Sequence, residues 1–345
     1  MGEILGIGMT HGPMFQFPDE HMADILRRDL TKKSVPQAMR DERNWPAPMR
    51  AEWGNDEGLA AARNHREVVV AQFRQIRSAL MDFNPDFVLV WGDDQYENFR
   101  EDVVPAFCVY MYDQLDCLPY ANSPSMKAKS NVWNQPPDKL VKVQGHQEAA
   151  GFLTQELLSN DFDVAYAFKP HHHPSLAHAF MRTLVYTDYD QQGFPWPMIP
   201  FHVNCYGSAM LHRVPNAPSV AAFPSAPNPR RCYDLGKAVG DILRSSKYRA
   251  ALIGSSSWSH AFLTPKNYGL YPDVETDRKR FGELKRGEQS RWRDLSLADL
   301  TDAGEHEMLN WICLAGAMEG RKADYAEMAE TYIFNSTKVA AIFRP

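Results

Sequence analysis

The stretch FVLVWGDDQYENF, residues 87–99, decides the fold because it joins an apolar run to a cluster of polar side chains. The run Phe87 to Trp91 predicts a short buried strand, which Gly92 closes. The preceding segment, 59–83, has apolar residues at helical spacing and ends before an Asn-Pro pair. A helix, a buried strand and a polar strand end in this order are typical of α/β proteins.

The same alternation continues along the chain. We therefore predict an α/β fold with a central, mostly parallel sheet flanked by helices. Pro200 lies inside one predicted strand and indicates an edge strand or a strand end. The last fifty or so residues have a mainly helical pattern. The further predicted strands are 3–9, 163–168, 198–203 and 250–254, and the further predicted helices are 147–159 and 233–245.

The whole chain, 1–345, is predicted to be one domain, because no repeat or low-complexity linker divides it. Two proline-rich stretches, near 30–56 and 118–138, break the pattern and are expected to be irregular inserts. Inserts of this length are commonly lids or binding loops. Arg50 in the first insert is a candidate partner for a substrate carboxylate.

Composition excludes several classes of protein. The chain carries 37 Lys and Arg against 43 Asp and Glu, a net charge of −6, so it has no basic footprint for nucleic acid or an anionic membrane. Its apolar runs are too short to span a bilayer. The 5 cysteines are odd in number and include no C-x-x-C pair, a pattern that favours reduced thiols and a cytoplasmic location.

Polar clusters follow four of the predicted strands. In open α/β sheets, ligands bind beyond the carboxyl ends of the strands, so these clusters predict one shared site. For His171 and His172 a solvated turn is the favoured interpretation. The other candidates are His11 after the first strand, Asp93, Asp94 and Gln95 after the second, His173 and His178 after strand 163–168, and His260 after strand 250–254.

Three other motifs are disfavoured. The glycines Gly6 and Gly8 lack the spacing of a dinucleotide fingerprint and fit a tight turn. Trp258 stands where a G-x-S-x-G nucleophile elbow needs its second glycine, which argues against a serine hydrolase. Asn310 stands where a zinc protease with an H-E-x-x-H motif needs its second histidine.

Eight motifs follow one another along most of the chain. In chain order they are MTHGP, VLVWGDDQYENF, GHQEAAGFLTQEL, HHHPSLAHAF, MIPFHVN, RRCYDLGKAVGDIL, GSSSWSHAF and HEMLNWICLAGAM. Together they resemble one family, the class III extradiol ring-cleavage dioxygenases, and in particular relatives of the catalytic beta subunit of protocatechuate 4,5-dioxygenase.

The resemblance implies a non-haem Fe(2+) ion that is held by two histidines and one carboxylate, with open positions for a catechol and O2. A histidine outside the ligand set then moves protons to and from the substrate. Carried over motif by motif, the metal residues are His11, Gln95 and Glu307, the catalytic residues are His260 and His173, and His178 is a substrate-binding neighbour.

The expected function is the opening of a catecholic or gallate-like aromatic acid with O2, on a substrate of the protocatechuate, gallate or O-methylgallate type. The resemblance also implies a homo-oligomer, with a small partner subunit in some relatives. Gln95 departs from the pattern, because it stands at the family's second metal histidine.

Three interpretations of that departure stay open. Gln95 completes the site, or Asp93, Asp94 or another nearby side chain does, or the chain is a non-catalytic or metal-altered relative such as a binding protein or a zinc hydrolase.

Overall fold

A computed structural model describes residues 1–100, 102–121, 130–207 and 224–345, and these ranges contain ten strands and nine α-helices. The strands are β1 (Glu3–Met9), β2 (Phe87–Gly92), β3 (Phe107–Tyr110), β4 (Gln114–Cys117), β5 (Val141–Gln144), β6 (Ala165–Ala167), β7 (Met198–Val203), β8 (Arg249–Ser255), β9 (Tyr325–Ala329) and β10 (Lys338–Phe343). The helices are α1 (Asp24–Asp29), α2 (Ala47–Trp53), α3 (Leu59–Phe83), α4 (Gln147–Ser159), α5 (His178–Thr187), α6 (Pro229–Ser245), α7 (Val274–Arg286), α8 (Leu297–Ala303) and α9 (Met308–Ala317).

Eight of these strands form one sheet in the order β6-β3-β7-β2-β8-β1-β10-β9, and β4 pairs with β5 in a small second sheet. The four central strands, β7, β2, β8 and β1, are parallel to one another. Antiparallel pairing begins only outside them, where β3 joins β7 and β10 joins β1. The predicted α/β fold with a mostly parallel sheet is therefore confirmed.

Helices cover both faces of this sheet, which explains why the interior residues of the central strands are mostly apolar. Successive residues of β2 point to opposite faces. Val88 and Val90 belong to a core that includes Phe73 of α3 and Phe180 of α5. Leu89 and its alternating neighbours belong to a second core, shared with α4, α6 and α9.

Pro200 does not mark a sheet edge, since β7 lies between β2 and β3. Its register explains how a proline is tolerated there. Pro200 lies opposite Val90 of β2, while the pairing with β3 covers only the stretch from Phe201 to Val203. No β3 residue therefore requires the missing N–H.

The first predicted insert is only partly irregular, because α2 lies inside it. Trp45, Met49 and Trp53 of this segment are buried in the core that α3 also lines. In the second predicted insert, 118–138, residues 122–129 lie outside the described part of the chain.

The last fifty residues are only partly helical, since β9 and β10 follow α9 and extend the sheet beyond β1. All five cysteines are buried free thiols. None of the helices in the described ranges combines the length and apolar character that crossing a bilayer requires.

Candidate functional site

The carboxyl ends of the parallel strands bring the first group of candidates together. His11 follows β1 by two residues, and Asp93 comes directly after β2. The His11 Nε2 atom lies 3.3 Å from Asp93 Oδ1. Both side chains are buried, with exposed fractions of 2% and 0%. The shared edge of the sheet thus places an imidazole nitrogen against a carboxylate, far from solvent.

Glu307, which immediately precedes α9, also contacts His11. The start of a helix favours negative charge because it is the positive end of the helix dipole, although the Glu307 side chain makes no capping hydrogen bond. Glu307 Oε2 lies 3.3 Å from His11 Nε2 and 3.6 Å from His260 Nε2. The structure therefore gathers His11, Asp93, Glu307 and His260 in one buried cluster.

The hydroxyl groups of Ser255 and Thr183 orient the His11 ring. The Ser255 hydroxyl lies 3.0 Å from His11 Nδ1, and the Thr183 hydroxyl lies 2.6 Å from that of Ser255. This contact leaves the opposite ring nitrogen, Nε2, pointing at the two carboxylates. Metal-binding histidines are commonly oriented in this way through their second nitrogen.

His178 joins the group at the start of α5. Its Nδ1 atom contacts Glu97 Oε2 at 2.7 Å, and its Nε2 atom lies 3.9 Å from Asp93 Oδ2. The rings of His178 and His11 meet edge to face, with 5.1 Å between their centroids. One nitrogen each of His11 and His178 and one oxygen of Asp93 all lie within 4.8 Å of one another, close enough to share a metal ion.

The two carboxylates differ in their electrostatic surroundings. Burial raises the pKa of Asp93 well above its ordinary value, and the charges of Glu307 and Glu97 raise it further. Burial also acts to raise the pKa of Glu307, but the charges of His260 and His11 outweigh it and lower that pKa overall. Neither Asp93 oxygen accepts a hydrogen bond from another residue in the described ranges.

This arrangement fits a divalent metal. A buried carboxylate without donors is unfavourable unless a cation compensates its charge. Imidazole nitrogens and carboxylate oxygens on one side of a pocket are the donors that Fe(2+) uses in non-haem oxygenases. His11, Asp93 and His178, with Glu307 beside His11, supply such donors here, and the orphaned oxygens of Asp93 are the observation that supports the fit.

The residues beside Asp93 have other partners. Gln95 Nε2 lies 2.8 Å from the Tyr206 hydroxyl and 3.5 Å from Glu307 Oε1, and the Tyr206 hydroxyl also donates to Glu307. Asp94 accepts hydrogen bonds from the backbone N–H groups of residues 97–99. The Asp94 carboxylate therefore stabilises the turn that follows it. Gln95 contacts the cluster through Glu307.

His173 lies farther out. Its Nδ1 atom contacts the backbone of Ser175 at 3.0 and 3.2 Å, so the side chain closes its own turn. Together with His178 and Glu97, it lines a cavity of about 450 Å³, open mouth included, whose apolar walls include Leu176. The cavity thus reaches the buried cluster at His178.

Sequence reasoning missed Tyr206, Glu97 and Arg182, which lines the same cavity. Tyr206 follows the carboxyl end of β7, so the rule applied to the other strand ends could have found it. Arg50, by contrast, is exposed and donates to the backbone oxygens of Arg43 and Trp45. The expectation that Arg50 pairs with a substrate carboxylate therefore has no support in its surroundings.

Comparison with known proteins finds one family match and several curated relatives. Residues 198–343 match a family described as the catalytic LigB subunit of aromatic ring-opening dioxygenase. This part of the chain is therefore similar to the catalytic subunit of aromatic ring-opening dioxygenases. The LigB match includes His260 and Glu307, whereas His11 and Asp93 lie outside it.

Three relatives are named 2,3-dihydroxyphenylpropionate/2,3-dihydroxicinnamic acid 1,2-dioxygenase. The protein from Photorhabdus laumondii is 26% identical over 203 residues, 59% of this chain and 52% of its own length. The protein from Comamonas testosteroni is 26% identical over 184 residues, 53% and 46% of the two lengths. The protein from Paraburkholderia xenovorans is 27% identical over 210 residues, 60% and 54%. The matches thus span about half the length of each relative.

Proposed function

We propose that this chain is a metal-dependent extradiol dioxygenase that opens the ring of a catecholic aromatic acid with O2. The observation that carries the proposal is the convergence of His11, Asp93 and Glu307 in a buried cluster beside a cavity. The similarity to LigB-type proteins supports the reaction class. The relatives' names add a catechol with a short acidic side chain to the protocatechuate and gallate types as candidate substrates.

We assign the metal to His11, Asp93 and Glu307, with Asp93 taking the part that the resemblance gives to Gln95. When bound, Fe(2+) would supply the chemistry that brings catechol and O2 to reaction. Gln95 instead steadies Glu307, both directly and through Tyr206. This assignment accounts for the loss of the family's second metal histidine without requiring loss of the metal.

The remaining histidines have other roles in the proposed reaction. His260 is buried and its Nε2 atom faces Glu307, so it stands at the edge of the ligand group, where it can take a proton from a catechol hydroxyl at Nε2. His178 lies where the cluster meets the cavity, so it is placed to contact a bound aromatic ring. His173 lies farther along the cavity wall, in reach of the ligand rather than of the metal residues.

The direct test is O2 uptake by anaerobically purified, Fe(2+)-loaded protein. The panel is protocatechuate, gallate, 3-O-methylgallate and 2,3-dihydroxyphenylpropionate, with benzoate as a control that has no catechol. We expect uptake and loss of the aromatic absorbance with at least one catechol. Stoichiometric iron without uptake for any catechol would contradict the proposal.

A variant separates the chemistry from metal binding. His260→Ala is expected to keep stoichiometric iron and to lose turnover, because the proton acceptor is removed and the three ligands remain. Glu307→Ala is expected to lose iron as well. Equal iron loss in both variants would place His260 among the ligands.

Gln95 favours a second candidate, a non-catalytic or metal-altered relative, because a family metal position lacks its histidine. Metal analysis discriminates the two. Absence of bound metal after anaerobic reconstitution would indicate a binding protein. Hydrolytic activity with zinc and without O2 would indicate the metal-altered case.

A further inference from the structure

Arg182 is a buried cationic side chain that the proposed chemistry leaves unexplained. It lies on α5, four residues after His178, so both side chains occupy one face of the helix. Only 7% of Arg182 is exposed. It lines the cavity, and its charge helps to lower the pKa of the neighbouring Glu97, but within the described ranges its guanidinium makes no hydrogen bond to another side chain. Buried arginines are normally paired, so this one calls for a partner.

Gln16 provides a second unpaired donor in the same cavity. Its side chain is 3% exposed, and its amide nitrogen has no hydrogen-bond partner among the described residues. Glu97, the acid on the cavity wall, is engaged by both the ring and the backbone N–H of His178. The cavity therefore presents one cation and one amide whose N–H groups are available to donate hydrogen bonds to an anion.

We propose that Arg182 and Gln16 bind the carboxylate of the substrate, while its two ring hydroxyls face His178 and the metal cluster. This inference rests on the proposed function and specifies its substrate class: a catechol that carries a carboxylate. Arginine suits the task because its guanidinium offers two parallel donors to the two carboxylate oxygens.

The spacing along α5 supports this orientation. Four residues of α-helix rise about 6 Å, which is on the scale of one aromatic ring and its substituent. The cavity wall also includes Met181 and Leu176, apolar side chains that suit an aromatic ring. A ligand with hydroxyls at one end and a carboxylate at the other matches a cavity in which a histidine and an arginine stand about one helical turn apart.

The test is anaerobic calorimetric titration of the Fe(2+)-loaded protein with protocatechuate and with its uncharged methyl ester. We expect the wild-type protein to bind the acid at least about tenfold more tightly than the ester, as one charge-assisted hydrogen-bonded pair provides. Arg182→Gln is expected to reduce that ratio by about 10- to 100-fold and to leave ester binding within about twofold.

Further variants distinguish a loss of carboxylate binding from misfolding of the Arg182→Gln variant. Arg182→Lys keeps the charge but not the paired donors, so it should restore part of the ratio. Gln16→Leu should reduce the ratio by a smaller factor, about threefold to tenfold. Arg74→Gln is the matched control, because Arg74 is exposed and pairs with Asp190 outside the cavity. It should leave the ratio unchanged.

Failure of this inference is distinguishable from failure of the proposed function. A wild-type protein that binds acid and ester equally, or an Arg182→Gln variant that weakens both equally, would overturn the role of Arg182 even if O2 uptake is found. Absence of O2 uptake would overturn the function, while the ratio of acid to ester binding would still decide the role of Arg182.

Discussion

Two clusters in this protein have the same composition, one aspartate and two histidines, and only one of them has the properties of a functional site. The first is His11, Asp93 and His178, which we call the inner cluster. The second, the outer cluster, is Asp102, His171 and His172. In each, one ligand atom per residue lies within 4.8 Å of the others. Residue type and spacing therefore do not separate the two.

The two clusters differ in how deeply their side chains are buried. In the outer cluster, the side chains of Asp102 and His172 are 45% and 25% exposed and contact each other at 2.8 Å. Because both side chains are partly open to solvent, burial does not leave their polar atoms unsatisfied. In the inner cluster, Asp93 is fully buried and receives no hydrogen bond from another residue of the described ranges. An unsatisfied buried carboxylate is costly, so its retention points to a ligand that compensates it.

The largest expected effect is on metal affinity. Asp93→Asn keeps the shape of the side chain but removes its charge, and we expect the Fe(2+) dissociation constant to rise more than about 100-fold. Even the loss of a residue that only orients a ligand typically costs about 10- to 100-fold. Anaerobic calorimetry or metal analysis after gel filtration measures the change.

The matched control is the double variant His171→Ala with His172→Ala, which removes two ligands from the outer cluster. Its Fe(2+) affinity should equal that of the wild-type protein. A large loss in the double variant, or none in Asp93→Asn, would reverse our assignment of the two clusters.

Asp93→Asn should weaken metal binding, but it should not destabilise the metal-free protein. Without metal, Asp93 is a buried carboxylate beside Glu307, so Asp93→Asn should leave the melting temperature of the metal-free protein unchanged or raise it. The wild-type protein should gain thermal stability on addition of Fe(2+), and the variant should not. Lower stability of the metal-free variant would show that Asp93 has a structural partner.

A smaller effect is expected for Gln95. Gln95→Leu removes the contacts with Tyr206 and Glu307 but leaves His11 and Asp93 in place. We therefore expect the Fe(2+) dissociation constant to rise by less than about tenfold, the lower end of the range for orienting residues. A loss as large as that of Asp93→Asn would make Gln95 a ligand and restore the assignment implied by the family resemblance.

The inner cluster also shows what the sequence could predict. His11, Asp93 and His260 were placed at one site because carboxyl ends of parallel strands share an edge, and that reasoning needs only the strands. Asp93 could not be separated from Asp94 in this way. The separation depends on the left-handed conformation of Tyr96, whose φ is 61°, in a turn that directs backbone N–H groups to Asp94.

The fold, like the site, could be predicted only in part from the sequence. The helices 59–83 and 147–159 were predicted with the bounds that the structure has, because a long amphipathic pattern is a strong signal. The strand β9 was missed, since its sequence, YAEMA, has two alanines and no β-branched residue. Its pairing with β10 stabilises it, and that contact is not local in sequence.

Arg182 was missed for a related reason. It lies inside α5, in the sequence HAFMRTLVYT, where an arginine is expected to face solvent. Its burial depends on how α5 packs beside the cavity, and no local pattern reports that packing. Local patterns thus identified the strand ends, whereas the cavity walls required the tertiary structure.

The smallest effect is expected in the outer cluster, from Asp102→Asn. The hydrogen bond with His172 lowers the pKa of Asp102 in the folded protein. A carboxyl group whose pKa is lowered by folding contributes stability above its unfolded pKa, about 3.9, and loses that contribution as the pH falls through the lower folded value. Because the side chains are exposed, the contribution at pH 7 should be below about 0.5 kcal/mol.

Urea denaturation of the wild-type protein and of Asp102→Asn at pH 7, 5 and 3, without metal, measures this contribution. The difference in unfolding free energy should be small at pH 7 and smallest at pH 3, where Asp102 is largely protonated in the unfolded chain. Addition of Zn²⁺ should not change it. A difference well above 1 kcal/mol, or one that grows with Zn²⁺, would show that the outer cluster binds metal despite its exposure, and burial would then no longer distinguish the two clusters.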